Sequence, residues 1–320
     1  MSSTKTTTST KKAAGRPVRR RKMRRLTGRD KLVLGLLVGI PLVIHLALVW
    51  FPAIASVFLS FTDWDGIGLD TIHGAGLSQY VQAFTNDPSF WPAVTNNVLW
   101  LLFLIAIPTP FGIFLAYQLD KKIRFSRFYQ TAIFLPMVIS LAVVGFIWQI
   151  FYQPDYGLLN SLLGTNNPGG TYLDWLGDPS LNLSAVLVAA GWRHTAYIMI
   201  LYLAGLKSFD PTLREAAAID GANERQTFFR ITFPSLRPVN VIILVVTVLE
   251  GLRAFDLVYV MGGNTGSKQG LELLSILITN NIVGESGKVG YGSALAVILL
   301  IVSLVVIIPY LVQNFRKEQR

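Results

Sequence analysis

Six long apolar stretches constrain the fold of this 320-residue chain more than any other feature. A bilayer core about 30 Å thick requires a helix of about 20 mostly apolar residues, because lipid offers no partners for backbone N–H and C=O groups. Composition agrees, since 52% of the residues are hydrophobic and only 14% are charged. The sequence therefore predicts an all-α integral membrane protein with six transmembrane helices. The predicted spans are Lys31–Ser60, Ala93–Gln118, Tyr129–Phe151, Ser184–Leu206, Val239–Met261 and Tyr291–Asn314.

Proline lies inside the first two stretches, which predicts kinks there. Pro41 and Pro52 fall in the first stretch, and Pro108 and Pro110 fall in the second. A proline would break a helix in water, but neighbouring helices can satisfy the carbonyls that it frees in a membrane.

Charge is distributed unevenly between alternate loops. The first 31 residues contain twelve Lys or Arg and one acid, and four more basic residues follow the second stretch. The loop after the first stretch has four aspartates, and the loop after the third has three, with no Lys or Arg in either. Basic loops stay on the cytoplasmic side of a membrane. This predicts that both termini and the segment between the fourth and fifth stretches are cytoplasmic.

The same pattern suggests three regions. Residues 1–30 have no apolar periodicity and are rich in Ser, Thr and Lys, which predicts a disordered basic cytoplasmic tail. Residues 31–314 form the six-helix domain, and residues 315–320 form a cytoplasmic C-terminal tail. No cleaved signal peptide is expected, because the first apolar run is long enough to span. The net charge of +10 is confined to these ends, so topology explains it better than nucleic-acid binding does.

Signals for an enzyme are weak. The three histidines (His45, His73 and His194) are far apart, and the chain has no cysteine. The glycine-rich pieces GGNTGSKQG and GESGKVGYG do not fit the phosphate-binding loop pattern G-x-x-x-x-G-K-[ST]. We expect no catalytic residue, no metal site and no cofactor on this chain, so any ATP would bind to a different subunit.

A mixed, partly charged segment, EAAAIDGANERQTFFRITFPSLRP, lies between the fourth and fifth apolar stretches. Pro211 suits the first turn of a helix, and good helix formers follow it up to Ile219. Gly221 then allows a bend with positive φ before a second helix, which ends near Pro234. The prediction is a helix–turn–helix over residues 209–238. An ordinary connecting loop is the alternative that composition leaves open.

This segment resembles the EAA signature of the membrane subunits of binding-protein-dependent ABC importers. The matching residues are Glu215, Ala216, Ala217, Asp220, Gly221, Ala222, Phe228, Ile231, Pro234 and Pro238. The runs LAGLKSF before it and AFDLVYVMGG after it resemble those of carbohydrate-importer permeases of the maltose and multiple-sugar type. GLSQYVQAFTNDPSFWPAVTNN resembles the family pattern at the start of the second span. Ala196 is a departure, because the family usually has proline there.

The resemblance implies a transport subunit without covalent chemistry in a bacterial cell membrane. Such a permease pairs with a second, similar permease as a heterodimer. An extracytoplasmic solute-binding protein delivers a sugar, and two ATP-binding cassette subunits hold ATP and Mg and receive the coupling loop at residues 209–238. The resemblance assigns ATPase coupling to Glu215, Ala216, Ala217, Asp220, Gly221, Ala222, Phe228, Phe229 and Pro234. Phe228 or Phe229 is the candidate anchor in an apolar pocket of the ATPase.

Sugar recognition needs aromatic faces and hydrogen-bonding groups along an interior path. Spacing within the fourth and fifth stretches, together with the family's sugar-contacting positions, indicates His194, Tyr197, Thr247, Gly251, Ala254 and Phe255. Gly251 and Ala254 have an alternative role in close helix packing. Glu250 and Arg253, three residues apart, are candidates to pair with each other. Trp148 and Trp192 suit either sugar stacking or anchoring at the membrane interface.

Three functions remain possible at this stage. The first is a permease for a sugar or oligosaccharide, and the second is an ABC permease for a solute such as glycerol phosphate or a polyamine. The third is a secondary transporter or membrane enzyme that carries the segment by chance. Neighbouring genes for a solute-binding protein and a second EAA permease would separate the third from the others. The sequence does not identify the sugar.

Overall fold

A computed structural model of the chain describes residues 27–121, 123–165, 173–263, 268–284 and 287–318. Most of the predicted basic tail and parts of both glycine-rich pieces lie outside the described residues. Within the described residues the regular structure is helical, and the only β pairing is an isolated bridge between Thr62 and Gly74.

Sixteen α-helices form within the described residues, and two π-helical turns connect neighbouring helices, Leu46–Trp50 between the first and second and Phe228–Thr232 between the eleventh and twelfth. They are α1 (Gly28–His45), α2 (Phe51–Leu59), α3 (Ser78–Thr85), α4 (Phe90–Ala106), α5 (Pro108–Asp120), α6 (Ser126–Val138), α7 (Leu141–Phe151), α8 (Leu158–Leu163), α9 (Asn182–Ser208), α10 (Pro211–Ile219), α11 (Glu224–Thr227), α12 (Phe233–Ser235), α13 (Arg237–Leu252), α14 (Asp256–Met261), α15 (Leu274–Ile282) and α16 (Val289–Glu318).

Four helical stretches in the described residues are long and apolar enough to cross a membrane. They are Gly28–Leu59, Phe90–Asp120, Asn182–Ser208 and Val289–Ile308. The helices α6 and α7 make a fifth if the bent pair is counted as one span. The prediction of a helical membrane protein is therefore confirmed, while the count of six spans stays a prediction.

The predicted third span is not one continuous helix. The helices α6 and α7 meet at an angle of 100°. Ile139 has extended backbone angles, and the Ser140 hydroxyl accepts a hydrogen bond from Val143 N, which caps α7. Pro136, one turn before the bend, removes a backbone donor from the last turn of α6. Local chemistry thus favours a new helix start at Ser140 over continuation.

The predicted fifth span is also broken. Its first part, α13, ends at Leu252, and α14 begins at Asp256, so Arg253, Ala254 and Phe255 lie outside helix. Side chains from distant helices hydrogen-bond to carbonyls freed at this break. These partners compensate for the backbone bonds that a continuous helix would have made.

Contacts within the chain divide it into two units, Met1–Pro52 and Ala53–Arg320. In the first unit, α1 buries none of its residues against other parts of the chain, as expected for an apolar helix whose surface faces lipid. In the second unit, α9 is central. Ile198, Met199 and Tyr202 on α9 are fully buried, in a cluster with Ala116 of α5 and Ile243 of α13. The packing of α9 on α5 and α13 positions the residues described next.

Candidate functional site

The segment at residues 209–238 contains α10, a bend at Gly221 and a second helical part made of α11, a π-helical turn and α12. Asp210 caps α10, because its Oδ1 accepts a hydrogen bond from Thr212 N over 2.9 Å. The backbone hydrogen bond from Thr212 lowers the pKa of the Asp210 carboxyl. Gly221 has φ +78°, a left-handed conformation that strongly favours glycine. Asn223 and Gln226 then form a capping box at the start of α11.

Two ion pairs attach this segment to the end of α5. Arg214 Nη1 lies 2.7 Å from Asp120 Oδ2, and Lys121 Nζ lies 2.5 Å from Glu224 Oε2. The Phe228 ring packs on Tyr117 of α5 with ring centroids 4.6 Å apart. Both short helices are thus held to the same helix, α5.

The predicted coupling residues divide into an exposed group and an inner group. Glu215, Ala216, Asp220, Gly221, Phe229 and Pro234 are exposed. Ala217 is buried, and Ala222 and Phe228 are half-buried. Because Phe228 packs on Tyr117, Phe229 is the better placed of the two candidate anchors, with 60% of its surface exposed. Ile219, which the sequence analysis did not select, is 86% exposed beside Asp220. An apolar side chain at a helix end, following a run of alanines, was the available signal for it.

A polar network crosses the interior between α5, α9 and α13. Glu250 of α13 contacts two neighbours on α9, with Arg193 Nη1 3.0 Å from Oε1 and His194 Nδ1 2.7 Å from Oε2. His194 Nε2 lies 3.1 Å from Thr247 Oγ1 and 3.3 Å from Thr109 Oγ1. His194 and Thr247 are fully buried. The expected pairing of Glu250 with Arg253 is wrong, because both oxygens of the Glu250 carboxylate face α9.

A cavity of about 340 Å³ opens at the break between α13 and α14. Phe255 and Ala254, two of the predicted substrate residues, line it. Charged residues line it too, namely Glu250, Arg253 and Asp256. Within the described residues, Arg253 and Asp256 form no ion pair. Trp100 of α4, which the sequence analysis did not select, also lines the cavity.

The other predicted substrate residues do not line this cavity. His194 and Thr247 lie behind Glu250, joined to its carboxylate by the network above. Tyr197 packs half-buried against the cluster around Ala116 and Tyr202. A Cβ at Gly251 would lie 3.3 Å from Leu101 Cα, so this glycine serves close packing of α13 on α4.

The two tryptophans that suit either sugar stacking or interfacial anchoring contact each other. The rings of Trp148 and Trp192 meet edge to face with centroids 6.0 Å apart. Ala196 is buried, and α9 continues without a break through the position where the family usually has proline.

These features define a class. The chain is a bundle of apolar helices with an interior polar network, a cavity at a helix break and an exposed helix–turn–helix. Among the described residues, no group of three or more His, Cys, Asp or Glu side chains could hold a metal ion. This is the architecture of a membrane transport subunit.

Residues 108–320 match the family described as binding-protein-dependent transport system inner membrane component. The chain is 36% identical over 279 residues to the xylose/arabinose import permease protein XacH of Haloferax volcanii, and this match covers 87% of each chain. It is 34% identical over 273 residues to a probable ABC transporter permease protein of Pyrococcus horikoshii, and this match covers 85% of this chain and 92% of that one. The chain belongs to the family of inner membrane components of binding-protein-dependent transport systems.

Solved structures agree on the fold. A crystal structure of a bacterial ABC transporter involved in the import of the acidic polysaccharide alginate contains a similar chain, with a TM-score of 0.75 and 22% identity. The match covers 90% of this chain and 96% of that chain. The family resemblance predicted from the EAA segment is therefore confirmed. The family is one of transport subunits, so this chain is a permease rather than an enzyme.

Proposed function

We propose that this chain forms, with a second EAA-type permease, the translocation path for a sugar or oligosaccharide in an ATP-driven importer. The observation that carries the proposal is the cavity at the α13–α14 break, where Phe255 and Trp100 lie beside Glu250, Arg253 and Asp256. Aromatic faces suit the C–H surface of a pyranose, and the charged groups suit its hydroxyls. Relatives named for pentose and arabinooligosaccharide transport support the sugar class.

The proposed topology places both termini and residues 209–238 in the cytoplasm, with residues 63–92 outside. Charge supports it, since the acidic loops and the basic segments alternate along the sequence. In this arrangement the basic tail 1–30 precedes the membrane domain 31–314, and residues 315–320 return to the cytoplasm. The membrane is the bacterial cell membrane.

The partners follow from this topology. An extracytoplasmic solute-binding protein delivers the sugar, and two ATP-binding cassette subunits hold ATP and Mg. The exposed group on residues 209–238 docks into one ATPase, with Glu215 and Asp220 pairing with basic residues and Phe229 filling an apolar pocket. Movement of the ATPase pulls on α10, which is ion-paired to α5 through Arg214 and Asp120. ATP hydrolysis thereby tilts the helices around the path.

The test is ATP hydrolysis by the reconstituted four-subunit complex with its binding protein. A panel of neutral saccharides, an acidic saccharide, glycerol phosphate and a polyamine is added one at a time. We expect stimulation by a saccharide and uptake of the same compound into vesicles. Stimulation by only glycerol phosphate or the polyamine would overturn the sugar proposal and keep the importer. Uptake that depends on a proton gradient and not on ATP would overturn both.

A further inference from the structure

The break between α13 and α14 leaves backbone carbonyls without helical partners. The carbonyl oxygens of Gly251 and Ala254 lie at this break, close to where the chain passes from one helix to the next. An unpaired carbonyl in the interior of a membrane protein is costly, so each requires a donor from elsewhere. The donors are side chains of two other helices, α4 and α15.

Asn97 of α4 is one of these donors, and it makes a second hydrogen bond at the same time. Its Nδ2 donates to Gly251 O over 3.2 Å, and its Oδ1 accepts from Leu274 N, the first residue of α15, over 3.0 Å. Only 3% of Asn97 is exposed. One side chain thus joins the end of α13 to the start of α15, and uses both its donor and its acceptor.

The close approach of α4 and α13 makes this contact possible. Gly251 faces Leu101, one helical turn after Asn97, and a Cβ at residue 251 would lie 3.2 Å from Leu101 Cδ1. With no side chain at residue 251, α13 comes near enough for Asn97 to reach its carbonyl. Ser275, next to Leu274, donates its hydroxyl hydrogen to Ala254 O, so α15 contacts the break a second time.

We propose that Asn97 is a positioning residue that holds the α13–α14 break in the shape that presents Arg253, Phe255 and Asp256 to the cavity. Asn97 is not among the residues that line the cavity, so it acts through the backbone of Gly251 and through α15. The preceding residue on α4, Asn96, has different partners: it donates to Gly270 O and Glu272 O in the segment before α15. The proposal rests on the proposed function in one respect, that the cavity is part of the translocation path.

The experiment measures exposure of the break and needs neither cargo nor ATP. The chain has no cysteine, so Ala254→Cys introduces a single thiol at the break. Its rate of reaction with N-ethylmaleimide is followed in the purified complex, with Asn97 intact and with Asn97→Leu. A second thiol, Ala116→Cys, reports on the fully buried core between α5 and α9. Loss of a buried amide with two partners should raise the rate at residue 254 about tenfold. The rate at residue 116 should change less than about twofold, because additivity holds between distant sites.

The matched control is Asn160→Leu. Asn160 is also a fully buried amide with backbone partners, Pro154 O and Leu173 O, but it lies on α8 and neither partner belongs to the break. We expect Asn160→Leu to leave the rate at residue 254 unchanged. A milder variant, Gly251→Ala, keeps Asn97 but moves α13 away from α4, and should raise the rate at residue 254 by a smaller factor.

Equal rises at residues 254 and 116 in Asn97→Leu would mean general loosening of the fold and would overturn the proposal. An unchanged rate at residue 254 would overturn it as well. If Asn97→Leu does not assemble, Gly251→Ala decides between the same outcomes. Because labelling is independent of the cargo, a failure of the sugar proposal would leave this result standing.

Discussion

His194 Nδ1 lies 2.7 Å from Glu250 Oε2, and the preceding residue, Arg193, binds the other oxygen of the same carboxylate. Two adjacent side chains of α9 therefore hold one acid of α13. The network continues through Thr247 to Thr109, so it joins three helices around one point. Because Glu250 also lines the cavity, its position is set by α9 while one face remains open to a solute.

We expect Glu250→Gln to lower the free energy of unfolding, because it leaves Arg193 at membrane depth without its anionic partner. The loss should be about 2 kcal/mol, below the value for a fully buried pair, since both side chains keep some exposure. A thermal unfolding scan of the purified complex measures it. The double variant Arg193→Gln/Glu250→Gln should recover part of the loss. A double variant that is less stable than the sum of the two single changes would contradict this account.

Phe255→Ala should weaken sugar recognition. The Phe255 ring lines the cavity and stacks on Tyr259 with centroids 5.1 Å apart and an angle of 25° between the ring planes. Loss of one stacking face costs on the order of 1 kcal/mol, or about a fivefold rise in the sugar concentration at half-maximal uptake. Tyr197→Ala is the control, because Tyr197 is half-buried outside the cavity. A larger loss of uptake in Tyr197→Ala than in Phe255→Ala would indicate that the sugar passes Tyr197 rather than this cavity.

The two ion pairs at the end of α5 should differ in their effects on coupling. In the pair between Arg214 and Asp120, the Asp120 side chain is 13% exposed. In the pair between Lys121 and Glu224, the Glu224 side chain is 74% exposed. We expect Asp120→Asn to reduce sugar-stimulated ATP hydrolysis more than Lys121→Gln does, because an exposed pair contributes about 0–1 kcal/mol. ATPase activity and uptake are measured on the same preparation. Equal effects would mean that α10 is not held by the inner pair.

Single thiols in the cysteine-free chain test the topology. Asp70→Cys should react with a membrane-impermeant maleimide added to intact cells, and Ala218→Cys should react only after the membrane is opened. The expectation follows from the contrast between acidic and basic loops. Residue 218 is exposed on α10, so lack of reaction there before opening would reflect its side of the membrane. Labelling of residue 70 only after opening would invert the proposed orientation.

Local chemistry made part of the fold predictable. The Pro211 start, the Gly221 bend and the second helix of the 209–238 segment depend on residues within a few positions of each other, and the structure has all three. The break of the fifth stretch was not predictable in this way. Its carbonyls are satisfied by Asn97 and Ser275, which the sequence separates from Gly251 and Ala254 by 154 and 21 positions.

The candidate site shows the same limit. Helical spacing put His194 and Tyr197 on one face of the fourth stretch and Thr247 on a stripe of the fifth, and in the structure His194 and Thr247 meet in the interior between α9 and α13. Spacing alone cannot say whether a residue on an inner face meets a cavity or another helix. Gly251 meets α4 and Tyr197 meets a packed cluster, whereas the break turns Arg253 and Asp256 into the cavity. Trp100 was missed because it contributes from a third helix.

The sharpest prediction concerns Gly221, whose φ is +78° between α10 and α11. Apart from its chain neighbours, no atom of the described residues would lie within 4 Å of a Cβ there, so the penalty for a side chain comes from the backbone conformation and from any docked ATPase. Gly221→Val should displace α11 and Phe229, and abolish both uptake and sugar-stimulated ATP hydrolysis while membrane insertion and pairing with the second permease persist.

Two further substitutions at residue 221 separate the backbone cost from the docking surface. Gly221→Ala should cost about 1 to 2 kcal/mol, and Gly221→Asn should cost less, because asparagine tolerates the left-handed region although it is larger. If backbone conformation dominates, stability of the purified chain and retention of the ATPase subunits should both rank Asn above Ala above Val. If close approach to the ATPase dominates, retention should instead rank Ala above Asn, following side-chain size, while stability keeps the first order. Normal uptake by Gly221→Val with its ATPases bound would exclude both, and residues 209–238 would then be an ordinary connection between α9 and α13.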